Sequence, residues 1–201
     1  MHSLEIAVFE ARDPDGFAGR QAKLHAQLRD LFDGHVASIG LRSLSEPQVF
    51  ADLVLWESLD AAEAAAAALQ EIEDLAWFRQ EIGPIRFFDH LQPSAGDDAL
   101  AQVAEAPVVE VVLSKPRHLA AYVTAHATLH NDHLDAADSV VSHLRLLPNA
   151  NGITGDVNGW TSADAMMEMA PAMMQRPELA PVFDERNEMM LFMPFTTNVM
   201  P

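Results

Sequence analysis

Apolar and polar positions along the chain follow two alternating periods. Leu4 to Glu10 and Val108 to Ser114 are apolar-rich runs that predict strands. After the first run, Asp13-Pro14-Asp15 marks a helix start, and Phe17, Gln21, Leu24, Leu28 and Leu31 then recur at three- and four-residue spacing as one buried stripe. After the second run, Ser114-Lys115-Pro116 predicts another helix start, with proline in the first turn. Strands at about 36–45 and 48–57 meet at Glu46-Pro47, and strands at about 139–147 and 153–161 are joined by Pro148-Asn149-Ala150-Asn151-Gly152, so both pairs predict hairpins. Ser58 and Ser162 are placed to cap second helices. One of these helices is alanine-rich from Ala61 to Ala68, and the other is interrupted by Pro171, Pro177 and Pro181. Last strands are expected at about 85–91 and 188–196.

The two halves are copies of one β-α-β-β-α-β unit. A shift of 104 residues carries Asp52, Trp56, Ser58, Asp60 and Ala61 onto Asp156, Trp160, Ser162, Asp164 and Ala165. The same shift carries Val36 to Val140 and Phe88 to Phe192, and a one-residue change brings Leu4-Glu5-Ile6 onto Val109-Glu110-Val111. The expected organisation is a first unit over 1–92, a polar, turn-rich linker over 93–106 and a second unit over 107–201. Two helices cover only one face of a four-stranded sheet. Two such units therefore bury their bare faces against each other, and the class is α+β.

Composition narrows the function. Hydrophobic content of 49% over 201 residues supports a substantial core. With 12 Lys+Arg against 30 Asp+Glu, the formal charge of −18 offers no footprint for nucleic acid or an anionic membrane. Cysteine is absent, which removes thiol nucleophiles and thiolate metal sites. No run approaches the ~20 apolar residues of a membrane span, and Met1-His2-Ser3-Leu4-Glu5 does not read as a secretory leader, so a cytoplasmic location is the expectation.

The segment Trp56-Glu57-Ser58-Leu59-Asp60-Ala61-Ala62-Glu63-Ala64 resembles the strand-to-helix junction of the antibiotic biosynthesis monooxygenase-like group, in the dimeric α/β-barrel superfamily. The resemblance covers both halves and implies two ferredoxin-like units fused into a single-chain barrel. It also implies a ligand cavity between helices and sheet, used in relatives for cofactor-free oxidation of aromatic polyketides or for haem breakdown. Haem-degrading relatives carry a histidine where this chain has Ala66 and Ala170, which argues against that activity.

Strand alternation puts Asp156, Asn158 and Trp160 on one face, as it does Asp52, Val54 and Trp56. If that face meets the helices, the second unit presents these groups to His126, His130 and His133, with His126 and His133 on the helix's inward stripe and His130 at its edge. His143 on the neighbouring strand is a further partner. Three readings follow: a satisfied polar cluster; a general base, His126 or His133 tuned by Asp156, at the polar end of an apolar cavity; or a metal site from His126, His130 and His133 with Asp132. No known zinc signature is present and no cofactor is expected.

The candidate catalytic residues are thus His126, His133 and Asp156, and the candidate ligand-binding residues are Asn158, Trp160, His143, Trp56 and Asp52. Both tryptophans also read as core anchors. Nine of ten methionines fall between Met166 and Met200, as core filler or as an adaptable wall for a bulky ligand. The functional expectation is a small hydrophobic or aromatic molecule bound in the second repeat, with cofactor-independent monooxygenase chemistry. The alternative is a non-catalytic ligand-binding or stress-response barrel.

Overall fold

The computed structural model describes residues 1–94 and 98–197. The first repeat contains β1 (Ser3–Ala11), α1 (Pro14–Leu31), β2 (His35–Ser43), β3 (Val49–Trp56), α2 (Leu59–Leu69), α3 (Ala76–Glu81) and β4 (Ile82–Pro93). A short helix, α4 (Ala99–Ala104), follows. The second repeat contains β5 (Val108–Lys115), α5 (Leu119–Thr128), β6 (Val140–Leu147), β7 (Thr154–Trp160), α6 (Ala163–Met174) and β8 (Glu188–Thr197).

Local chemistry explains the helix starts. Asp13, Ser58 and Ser162 each accept a hydrogen bond from the backbone N–H three residues on, at Gly16, Ala61 and Ala165. One start departs from expectation: α5 begins at Leu119 after His118, so Pro116 stands before the helix instead of in its first turn. Pro171 is accommodated inside α6.

All pairings are antiparallel, and the strands close in the order β1-β3-β2-β8-β5-β7-β6-β4. Within each repeat the order is the same, with the first strand between the last and the third. The repeats meet face to face and also edge to edge, where Leu41 pairs with Thr197 and Gln92 with Leu147. Closure removes the free strand edges that an open pair of sheets would expose.

Alternation sorts the core into an inside and two outsides. Leu4, Ile6, Leu53, Leu55, Val109, Val111 and Val157 point into the barrel and form one cluster drawn from both repeats. Leu100, Val103 and Ala106, in and just after α4, are almost fully buried in that same cluster, so the segment between the repeats plugs the barrel as well as linking them. Val54 and Trp56 face α1 and α2, and Trp160 faces the helices of the second repeat, which is the strand parity that the resemblance implies. Among the described residues no helix is long and apolar enough to cross a membrane.

Candidate functional site

The helix-facing side of the second repeat holds a connected set of buried polar groups. Asp156, on β7, receives His126 Nε2 at 2.7 Å on Oδ2 and Asn158 Nδ2 at 2.8 Å on Oδ1. His130 Nε2 stands 3.5 Å from the same Oδ2, a charge contact longer than a formed hydrogen bond. Its Nδ1 is 2.7 Å from His143 Nδ1, and His143 Nε2 reaches Asp135 Oδ1 at 2.7 Å. Glu110 on β5 accepts from the Trp160 indole at 3.2 Å and lies 3.5 Å from Asn158 Nδ2.

Burial tunes these groups in opposite directions. Desolvation would raise the Asp156 carboxyl, but the His126 and His130 imidazoles reverse that and hold it well below the usual carboxylate range. Burial pushes Glu110 up to about 7, helped by the Asp156 charge. Burial likewise raises Tyr122, whose hydroxyl accepts from Ser114 at 3.2 Å, and lowers His130.

The placement differs from the helical-wheel expectation at two histidines. Residues Leu129–Leu134 continue α5 as a π-helix, which takes about one more residue per turn and so rotates the inward face. His130 is therefore almost fully buried beside His126, their rings edge to face at 4.7 Å. His133 is carried out of the cluster, with Nε2 3.5 Å from Glu178 Oε1, and Asp132 is exposed. The structure thus brings together His126, Asp156, Asn158, His143 and Trp160, while a metal set built from His133 and Asp132 does not form.

The first repeat keeps the framework with different chemistry. Asp52 Oδ1 accepts from Gln21 Nε2 at 2.7 Å and contacts His25 Nε2 at 2.8 Å, and Glu5 Oε2 contacts His90 Nε2 at 3.1 Å. Gly40 makes the Gln21 position possible, since a Cβ there would lie 2.4 Å from Gln21 Cδ. Above this layer, between α1, α2 and the sheet, lies a cavity of about 280 Å³. Its walls are mostly apolar, including Phe9, Leu24, Leu28, Ala66, Phe78 and Phe88, and its polar lining includes Asp52 and Glu5. A second cavity of about 210 Å³ lies on the other side of Gln21 and His25, against Ser38, Gly40 and Thr197.

Neither cavity is lined by the second-repeat histidines or by a tryptophan. Trp56 and Trp160 are both almost fully buried in the helix-facing cores. In the second repeat Met166 and Met173 pack with Trp160, Leu134 and Leu179 as core, while Met167, Met174 and Met189 are exposed; Met200 lies outside the described residues. The first-repeat cavity is lined by Leu28 and Val54, where the repeat alignment places the more polar His133 and Asn158 in the second.

Sequence reasoning passed over Glu5, Glu110, His90, Asp135 and Tyr122. A signal for the glutamates was present: each interrupts an apolar strand at the same repeat position.

The architecture is that of the dimeric α/β barrel, built from two units in one chain. No family model matches the chain, and no curated protein does. Solved structures share the fold. A monooxygenase candidate from Lactobacillus acidophilus is 8% identical, with a TM-score of 0.63 over 98% of this chain and 94% of that one. An anthrone oxidase-like protein is 13% identical, with a TM-score of 0.62 over 98% and 91%. A heme-binding protein from Thermus thermophilus is 12% identical, with a TM-score of 0.59 over 98% and 90%.

Proposed function

We propose that this protein binds a compact, largely apolar aromatic molecule in the first-repeat cavity and oxidises it with molecular oxygen, with Asp52 as proton acceptor. The observation that carries this reading is the cavity itself: about 280 Å³, near the lower end of small-molecule pockets, apolar on most sides and bearing two buried or half-buried carboxylates. An anthrone oxidase-like protein among the structures of this fold is consistent with it. Ala66 lines the cavity where haem breakdown would need an imidazole.

The chemistry asks little of the protein beyond orientation and one base. A methylene between two aromatic rings that are conjugated to a carbonyl, as in anthrone, loses a proton to the Asp52 carboxylate, which Gln21 and His25 hold in place. The carbanion adds O2 to give a hydroperoxide, and loss of water leaves a ketone, so that R2CH2 and O2 become R2CO and H2O. Apolar walls keep the carbanion from water until oxygen arrives.

A second reading has its own support. Asp52 and Glu5 already hold partners within the protein, so the polar wall is satisfied without a substrate, as in a carrier. Oxygen uptake with anthrone as probe separates the two. The oxidase reading predicts stoichiometric O2 consumption that falls by about 10²–10⁴-fold in Asp52→Asn, while binding persists. Saturable binding with no oxygen uptake above the uncatalysed rate would leave the carrier.

A further inference from the structure

The buried histidine cluster of the second repeat has a proton inventory that does not close. His143 Nε2 faces the Asp135 carboxylate at 2.7 Å and must donate to it. With both imidazoles neutral, His143 Nδ1 then carries a lone pair, so His130 Nδ1, 2.7 Å away, is the donor between them. That leaves a lone pair on His130 Nε2, buried, without a hydrogen-bond partner and 3.5 Å from Asp156 Oδ2. Two acceptors face each other in the protein interior, where an unpaired polar atom is costly.

We propose that the gap between them is a site for one divalent transition-metal cation of the zinc type, held by His126 Nε2, His130 Nε2 and Asp156 Oδ2. One ligand atom from each of the three residues lies within 4.8 Å of the other two, and the two imidazole Nε2 atoms stand 2.7 and 3.5 Å from Asp156 Oδ2. Two imidazoles and a carboxylate are a donor set that first-row divalent metals favour over Mg2+ or Ca2+. At Zn–N and Zn–O bonds of ~2.0–2.1 Å, tetrahedral ligand atoms sit about 3.3 Å apart, so the 2.7 Å contact has to open by about 0.6 Å while the wider separations close. In accepting the metal, His126 changes tautomer, its proton passing from Nε2, where it now faces Asp156, to Nδ1.

The surroundings are built as a metal's outer shell is. Asn158 donates to the free oxygen of Asp156, and the His143–Asp135 relay fixes His130 in the tautomer that presents Nε2. The ligands join the α5–π-helix segment to β7, so the ion would lock the helical layer onto the sheet. The site is separate from the first-repeat cavity, and it stands or falls independently of the oxidase reading.

The test uses the full chain stripped with chelator and titrated with Zn2+, and with Co2+ as a spectroscopic probe. The expected result is one ion per chain and a melting temperature raised by roughly 5–10 °C at a hundredfold excess over Kd. His130→Gln is expected to weaken binding by at least about 100-fold and His143→Gln by about 10–100-fold, while His133→Gln leaves it unchanged. X-ray absorption of the Zn2+-loaded wild type, which needs no variant to fold, is expected to show two imidazoles at about 2.0 Å. No stoichiometric binding, binding unaffected by His130→Gln, or a spectrum without imidazole scattering would overturn the site.

Discussion

Trp160 donates its indole N–H to Glu110 across the sheet, whereas Trp56, at the same repeat position, has a buried indole nitrogen with no partner. Replacement by phenylalanine should therefore cost unequally. Trp160→Phe strands a buried carboxyl and is expected to destabilise by about 1–3 kcal/mol more than Trp56→Phe. Urea unfolding of the two variants at pH 8 measures the difference; equal losses would show that the Glu110 bond contributes nothing.

Glu110 also sets a pH dependence. Its carboxyl is raised from 4.5 to about 7 in the folded protein, mainly by burial. Below pH 4.5 both folded and unfolded chains hold this proton and no penalty exists. As pH rises toward 7 the unfolded chain releases the proton first, so stability falls, by roughly 3 kcal/mol at full development. Glu110→Gln should flatten that part of the stability profile and leave the variant more stable than wild type at pH 8.

Much of the fold was legible because it rests on periodicity. The Trp56/Trp160 repeat and the two-residue alternation group the residues that share each tryptophan's face, the resemblance implies that this face meets the helices, and that is the arrangement observed. The candidate site was less legible, for two physical reasons. A π-helix leaves no mark on a 3.6-residue wheel, so the exchange of His133 for His130 at Asp156 could not be read. Polarity, moreover, says where chemistry-bearing groups gather but not where volume is left over. The cavity appears where side chains such as Leu28 and Ala66 fail to fill the space below α2.

Gly40 couples local geometry to the pocket. A methyl group there collides with the Gln21 side chain, which has to swing away from Asp52. Gly40→Ala is expected to destabilise by about 1–3 kcal/mol, as overpacking does, and to shift ligand affinity in the first cavity. Chemical denaturation together with a binding isotherm checks both effects; an unchanged isotherm would separate Gln21 from the ligand site.

Breaking the Asp156 pair should be the most damaging polar change in the second repeat. In metal-free protein, Asp156→Ala leaves His126 and Asn158 without their acceptor and is expected to cost about 3–5 kcal/mol. Asp156→Asn, which retains an acceptor oxygen, should cost less. Thermal unfolding in the presence of chelator ranks the two, and the opposite order would contradict the network.

The measurement that bears most directly on the account is a calorimetric titration of a naphthol into wild type, Ala66→Phe and Ala170→Phe. Ala66 lines the first cavity, and Ala170 is its counterpart 104 residues on. The account predicts one saturable site per chain that Ala66→Phe abolishes and Ala170→Phe leaves intact. Binding that survives Ala66→Phe and is lost in Ala170→Phe would place the ligand in the second repeat and contradict it.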